Sequence, residues 1–145
     1  MSILVVDDSE DMRTLIKTIL NKEGYRDILL CSSAEEAFRV LDTQSIDLIL
    51  MDVMMPGMDG IEACRQIQKN KDLLDIPIIM VTAKDDKEYL QEAFSAGALD
   101  YVTKPFDKVE LLARVRSALK LKEEMDRRKA RERELEELTK ELAKA

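Results

Sequence analysis

Five polar side chains follow apolar runs of strand length, and their types suit chemistry on charged oxygen atoms. Asp7 and Asp8 come directly after the first run, and Asp52 comes after the third. Thr82 follows the fourth run, and Lys104 follows the fifth. Because parallel strands end at one edge of a sheet, we expect these side chains to lie together. Three neighbouring carboxylates repel one another, which favours a bound cation, and Mg²⁺ suits oxygen ligands better than zinc does.

The elements that position these residues alternate along the chain. Short apolar runs predict strands buried on both faces, as in a parallel sheet, over residues 3–6, 28–31, 48–51, 76–81 and 99–102. Amphipathic stretches between the runs predict helices, the first over about residues 10–23 and the fourth over about residues 86–96. This βα pattern, repeated five times, predicts an α/β fold with a doubly wound, five-stranded parallel sheet.

Signals for helix ends support these elements. Ser9 is the expected N-cap of the first helix, and Gly24 is suited to the left-handed residue that follows it. A capping side chain followed three residues later by glutamate predicts three further helix starts, at Ser33 with Glu36, Asp59 with Glu62, and Asp107 with Glu110.

Composition limits the classes of function. The 145 residues suffice for one domain plus a tail, and the net charge of -7 disfavours binding to nucleic acid or to an anionic membrane. The absence of histidine excludes Ser-His-Asp and Cys-His nucleophile systems. Cys31 and Cys64 lack metal-binding or redox spacing and are expected to be buried in a reducing compartment. No signal peptide or membrane span is predicted, so a cytoplasmic location is expected.

The composition changes near residue 121, which predicts a domain over residues 1–121 and a charged helical extension over residues 122–145. The extension has eight basic and eight acidic residues and neither glycine nor proline. Leu135, Leu138 and Leu142 follow heptad spacing, but Arg128 and Arg131 interrupt the same register. One interpretation is a parallel coiled-coil dimer or a linker helix towards a further domain, and the other is a solvated charged helix; both remain open.

Four stretches together resemble a known family. ILVVDDSE, DLILMDVMMPGMDGIE, PIIMVTAK and GALDYVTKPF occur in the order and spacing of the receiver domain of bacterial two-component response regulators, over roughly residues 1–121. The resemblance implies a flavodoxin-like sheet of strand order 2-1-3-4-5, here with an extended C-terminal helix. It also implies a phosphorylation-dependent signalling switch instead of an enzyme that turns over a separate substrate.

The resemblance also implies a role for each site residue. Asp52 would accept the phosphoryl group, and Asp7, Asp8 and Asp52 would bind Mg²⁺. The backbone carbonyl of Met54 would complete the protein ligands of that ion. Lys104 would bind phosphoryl oxygens together with the hydroxyl group of Thr82.

Signal output would depend on Thr82 and Tyr101, which would move on phosphorylation and change the surface of the fourth helix, fifth strand and fifth helix. The side chains of Met54 and Lys84 could tune the lifetime of the phosphate. The implied partners are a sensor histidine kinase or phosphotransfer protein, a downstream output domain or protein, and a second copy bound through the fifth helix and tail.

Three alternative functions remain. The chain could be a receiver module excised from a larger regulator such as a diguanylate cyclase, phosphatase or kinase. A flavodoxin-type cofactor binder would need a hydroxyl- and glycine-rich phosphate loop where this chain has DDSED. A phosphatase using an aspartyl-phosphate would resemble a pattern with a second aspartate at position 54, where this chain has methionine.

Overall fold

Strands and helices alternate throughout the computed structural model, which describes residues 1–83 and 88–144. Their order is β1(Ile3–Val6), α1(Glu10–Lys22), β2(Ile28–Cys31), α2(Ala34–Thr43), β3(Leu48–Asp52), α3(Gly60–Lys69), β4(Ile78–Ala83), α4(Glu88–Ser95), β5(Asp100–Lys104) and α5(Lys108–Lys144). The described strands form a parallel sheet in the order β2-β1-β3-β4-β5. The predicted α/β fold and its strand order are therefore confirmed.

The sheet is covered on both faces. Successive β1 side chains alternate between them, so that Ile3 and Val5 pack with α1 and α5, whereas Leu4 and Val6 pack with α2, α3 and α4. This double coverage explains why the strand sequences are continuously apolar. With both faces buried, the strand ends are where polar side chains can meet.

Three strands end later than their apolar runs, β3 at Asp52, β4 at Ala83 and β5 at Lys104. β4 also begins later than predicted, after Pro77, which has no N–H to pair. Pairing between β4 and β5 includes Thr82 with Thr103, although both residues are polar. The apolar pattern therefore marks the buried part of a strand and underestimates its hydrogen-bonded length.

The predicted capping boxes are only partly present. Ser33 and Asp59 each accept a hydrogen bond from the backbone N–H three residues later, as predicted. The carboxylate of Glu36 accepts its hydrogen bonds from Ser32, one residue before the cap. Asp107 accepts from the N–H two residues later. The helix starts are thus correctly predicted, but the bonding partners vary with local geometry.

The first and last helices follow the predictions. Ser9 caps α1, and Gly24 follows it with φ of 100°. The 37 residues of α5 form one continuous helix, which confirms the extended C-terminal helix. Lys84 and the predicted start of the fourth helix near residue 86 lie outside the described residues. Within residues 1–83 and 88–144, none of the helices has the length and hydropathy to cross a bilayer.

Candidate functional site

Three carboxylates meet at the carboxyl edge of the sheet. Asp7 follows β1 and Asp52 ends β3, its neighbour in the sheet, so the two side chains emerge side by side. Asp7 and Asp52 are 1% and 5% exposed, whereas Asp8 is exposed. One carboxylate oxygen from each of these residues lies within 4.8 Å of the other two. We refer to Asp7, Asp8 and Asp52 as the acidic triad.

Lys104 reaches this triad from the end of β5. Its Nζ lies 3.1 Å from Oδ2 of Asp7 and 3.5 Å from Oδ1 of Asp52. Among the described residues, Lys104 is the one whose positively charged side chain forms an ion pair with the triad. Three carboxylates against one ammonium group leave an excess of negative charge in a largely enclosed place.

Asp7 and Asp52, the two buried members of the triad, differ in the hydrogen bonds that fix them in place. Oδ1 of Asp7 accepts a hydrogen bond of 2.9 Å from the N–H of Ser9, and the guanidinium group of Arg13 donates to the Asp7 backbone carbonyl at 2.7 Å. Asp52 has a longer contact, of 3.3 Å, from the N–H of Met54 to its Oδ1. Asp7 is therefore the more firmly bonded member of the pair.

The surroundings of Asp52 make its carboxylate unusually basic. Burial, together with the negative charges of Asp7 and, less strongly, Asp8, raises its pKa from the ordinary 3.8 to about 6. Lys104 and the Met54 N–H oppose this shift. A carboxylate with this pKa is still mostly ionised at neutral pH, and it is a better nucleophile than an ordinary one.

Thr82 lies one residue beyond Val81, which pairs with Asp52 in the sheet. Its side chain is 1% exposed, and its hydroxyl group donates to the Ala83 carbonyl at 3.2 Å. The hydroxyl group is therefore at the same edge as the acidic triad but is engaged with its own strand. The side chain of Met54, by contrast, is 55% exposed.

The donor set of the triad fits a hard divalent cation. The triad offers only carboxylate oxygens, and oxygen atoms are the ligands that Mg²⁺ prefers. It offers neither the sulfur nor the imidazole nitrogen that zinc favours. Their 4.8 Å spread is close to the ~4.2 Å between opposite ligands of one Mg²⁺ ion. Two of the three carboxylates are buried, so a cation would relieve repulsion that solvent screens poorly.

Comparison with known proteins identifies the family. The sequence profile of the response regulator receiver domain matches residues 3–116. The chain belongs to the response regulator receiver domains. Receiver domains are modules of two-component signalling systems, as the motifs around Asp52 and Lys104 indicated.

Named relatives of this receiver domain include two proteins from Bacillus subtilis strain 168. Transcriptional regulatory protein YvrH is 48% identical over 119 residues, which cover 82% of this chain and 49% of the relative. The alkaline phosphatase synthesis transcriptional regulatory protein PhoP is 45% identical over 121 residues, covering 83% and 49% of the two chains. The receiver thus spans about half the length of these relatives.

A solved structure shares the fold. It is the signal receiver domain of a signal transduction histidine kinase from Syntrophus aciditrophicus, which is 36% identical to this chain. The two superpose with a TM-score of 0.76, over 82% of this chain and 89% of the other. Receiver domains similar to this one therefore occur both in transcriptional regulators and in a histidine kinase.

Tyr101 of the receiver belongs to a cluster that the sequence did not indicate. Its half-buried ring meets that of Phe94 edge to face, with centroids 5.8 Å apart. The Arg114 guanidinium carbon lies 5.9 Å from the Tyr101 ring centroid, and Arg114 also pairs with Asp100 at 2.8 Å. These partners come from α4, β5 and α5, so only the folded chain brings them together.

Gly60, the first residue of α3, lies directly against the backbone that carries Asp52. A Cβ atom on Gly60 would lie 2.1 Å from the backbone carbonyl oxygen of Asp52. The Gly60 N–H also donates to the Val53 carbonyl at 2.9 Å. The absence of a side chain therefore lets α3 begin directly against the backbone that carries Asp52. The Asp-Gly pair was the only sequence signal for this contact.

Proposed function

We propose that this receiver is a phosphorylation switch in which Asp52 accepts a phosphoryl group from a histidine kinase or phosphotransfer protein. The observation that carries the proposal is the sharing of one lysine by two buried carboxylates, because Lys104 pairs with both Asp7 and Asp52. Within this arrangement Lys104 favours the ionised form of Asp52 and places a cation where phosphoryl oxygens would arrive. Family membership supports the same chemistry.

The acidic triad and the backbone carbonyl of Met54 would hold Mg²⁺. When bound, Mg²⁺ would neutralise negative charge on the incoming phosphoryl oxygens. Asp7 is oriented by its bond from Ser9, whereas exposed Asp8 can adjust. Oxygen-only ligands and the excess of negative charge support this assignment.

The transfer step needs little movement of the protein. An oxygen of Asp52 would form a bond to phosphorus while the bond from phosphorus to the donor's imidazole nitrogen breaks, leaving an acyl phosphate. Lys104 Nζ would turn from Asp52 to a phosphoryl oxygen. The hydroxyl group of Thr82 would exchange its bond to Ala83 for one to another phosphoryl oxygen. Water would later hydrolyse the acyl phosphate and reset the switch.

The output would pass through the surface formed by α4, β5 and α5. Movement of Thr82 towards the phosphoryl group would vacate space that Tyr101 could enter. Tyr101 would then leave its contacts with Phe94 and Arg114, which couple it to α4 and α5. Because α5 continues without a break to Lys144, the same change would reach the tail.

Residues 1–121 would form the receiver and residues 122–145 a linker or coiled-coil extension. Because the chain spans about half of each named relative, an output domain is the first candidate for the downstream partner. YvrH and PhoP are named transcriptional regulators, so a DNA-binding output is one candidate, although the receiver's charge of -7 disfavours its own contact with DNA. The cytoplasmic location stays a prediction.

Intact mass after treatment with acetyl phosphate tests the proposal. The wild-type chain should gain the mass of one phosphate in Mg²⁺ and none in EDTA, because repulsion within the triad then opposes the anionic donor. Asp52→Asn should gain none. Asp11→Asn, which removes an exposed carboxylate from the first turn of α1, is the matched control and should behave as wild type. Uptake of phosphate by Asp52→Asn would refute the assignment.

A further inference from the structure

Asp7 and Asp8, two members of the acidic triad, are joined by a single peptide bond. The carbonyl group of Asp7 and the N–H of Asp8 belong to this bond, and its atoms lie close to one plane. A contact that holds the Asp7 carbonyl therefore also sets the direction in which the chain reaches the Cα atom of Asp8. One hydrogen bond to this carbonyl can thus orient two of the three carboxylates.

The Asp7 carbonyl lies just beyond the paired part of the sheet. Pairing of β1 with β2 ends at Val6 and Cys31, and the N–H of Asp7 adds a last bond of 3.0 Å to the Cys31 carbonyl. The chain then leaves the sheet, because Ser33 is already the N-cap of α2. A carbonyl in this place still needs a donor, and since β2 has ended, the donor comes from another element.

Arg13 supplies this donor from α1. Its guanidinium group donates to the Asp7 carbonyl at 2.7 Å, and its side chain is half-buried. The backbone N–H of Arg13 donates at 3.0 Å to the carbonyl of Ser9, the N-cap of the same helix. The arginine is therefore held in the first turns of a helix that begins two residues after the acidic pair, which fixes the origin of its side chain.

The contact orients the triad without occupying its carboxylate oxygens. In the part of the chain that the structure describes, the ion pairs of the triad are with Lys104. A guanidinium group bound to the carboxylates themselves would compete with a metal cation for the same oxygen atoms. Binding to the carbonyl avoids this competition, and the exposed side chain of Asp8 stays free to turn towards a cation.

We propose that Arg13 is a positioning residue for Mg²⁺ binding, because its bond to the Asp7 carbonyl holds the peptide between Asp7 and Asp8 so that both carboxylates converge. Groups that orient metal ligands without touching the metal contribute about 10- to 100-fold to metal affinity. The inference rests on the proposed Mg²⁺ site of the acidic triad. It gives a role to a residue that binds neither the ion nor the phosphoryl group.

Charge and position make opposite predictions for Arg13. A guanidinium cation near the triad repels a second cation, so a role through charge alone predicts that its removal tightens Mg²⁺ binding. A positioning role predicts weaker binding, because the two carboxylates lose their fixed relation. A role in stability alone predicts an unchanged affinity of the folded chain for Mg²⁺.

Metal titration of the full, unphosphorylated chain tests these alternatives. Free Mn²⁺, which accepts the same oxygen ligands, is followed by electron paramagnetic resonance, and competition gives the Mg²⁺ dissociation constant. Arg13→Met keeps the aliphatic stem and should raise this constant about tenfold. Arg13→Lys, which keeps the charge and a donor, should lie between Arg13→Met and wild type. Lys17→Met removes an exposed charge one turn further along α1, and this matched control should bind as wild type does.

The titration also separates this inference from the proposed function. An unchanged or lower dissociation constant for Arg13→Met, together with weaker binding by Asp8→Asn, would overturn the role of Arg13 alone. Equal affinities of wild type and Asp8→Asn would refute the triad as the metal site, and both proposals with it.

Motion of the peptide between Asp7 and Asp8 gives a readout that is independent of metal binding. In the metal-free chain, the ¹⁵N order parameter of the Asp8 N–H should fall in Arg13→Met and stay unchanged in Lys17→Met. Phosphate uptake from acetyl phosphate should need more Mg²⁺ in Arg13→Met but reach the wild-type extent at saturating Mg²⁺. An order parameter that is the same in Arg13→Met and wild type would show that Arg13 does not hold this peptide and would overturn the inference.

Discussion

The two ends of the sheet hold their acidic residues differently. At the carboxyl end, among the described residues, Asp7 and Asp52 are buried and share the ammonium group of Lys104. At the amino end, Asp47 and Asp75 are only half-buried and pair with Lys122 and Lys129 of α5, of which Lys122 also pairs with Asp126. These pairs link α5 to the segments before β3 and β4. The excess of buried negative charge at the carboxyl end supports the proposal that this end binds Mg²⁺ and that Asp52 accepts a phosphoryl group there.

Removing Lys104 should have the largest effect on stability. Among the residues that the structure describes, no other side chain forms an ion pair with Asp7 or Asp52. In EDTA at pH 8, Lys104→Met should lower the free energy of unfolding by about 2–4 kcal/mol, since Asp7 and Asp52 remain buried and unpaired. Urea denaturation measures this change. Lys120→Met, an exposed position on α5, is the control. Equal losses in the two variants would mean that the shared pairing stabilises nothing.

Adding Mg²⁺ should correct the imbalance at the carboxyl end. At about 10–100 times its dissociation constant, Mg²⁺ should raise the free energy of unfolding of wild type by about 1–3 kcal/mol. Asp8→Asn should need a higher concentration for the same gain, because one carboxylate of the triad is lost. Asp11→Asn should titrate as wild type does. A gain that is the same in all three proteins would indicate binding elsewhere.

Breaking a matched pair at the amino end should have the smallest effect. Asp75→Asn should lower the free energy of unfolding by about 1 kcal/mol, because Lys129 is half exposed, and the loss should shrink at high salt. Glu123→Gln, which breaks an exposed pair with Arg127 within the tail, should change stability by less than about 0.5 kcal/mol. A loss for Asp75→Asn as large as that for Lys104→Met would remove the contrast between the two ends.

The fold and the convergence of the site residues could be predicted because both follow from local pattern. Apolar runs and caps located the elements, and parallel strands necessarily end at one edge, which brought Asp7, Asp52 and Lys104 together. Pairs between distant segments leave no such pattern. The contact of Lys129 with Asp75 depends on the direction in which α5 leaves the receiver.

The close approach of α3 to the Asp52 backbone could not be predicted from the sequence either. Only the folded backbone shows that a Cβ atom on Gly60 would lie 2.1 Å from the carbonyl oxygen of Asp52. The cluster of Tyr101 with Phe94 and Arg114 is similar, since three elements contribute one side chain each. Periodicity identifies buried faces, but it does not identify which distant side chains meet.

The most direct test of the central claim is the pH dependence of stability in wild type and Asp52→Asn, both in EDTA. The pKa of Asp52 is raised from 3.8 to about 6 in the folded state, so between these values the folded chain keeps a proton that the unfolded chain has lost. Stability from this group therefore falls as pH rises through that window and stays low above it, by about 1–3 kcal/mol.

Asp52→Asn should accordingly be more stable than wild type at pH 8, and its advantage should shrink towards pH 4. Urea denaturation across this range measures the difference. An advantage at pH 8 that disappears in acid would show that the carboxyl end carries uncompensated negative charge. A variant that is no more stable than wild type at pH 8, or a difference independent of pH, would contradict the account.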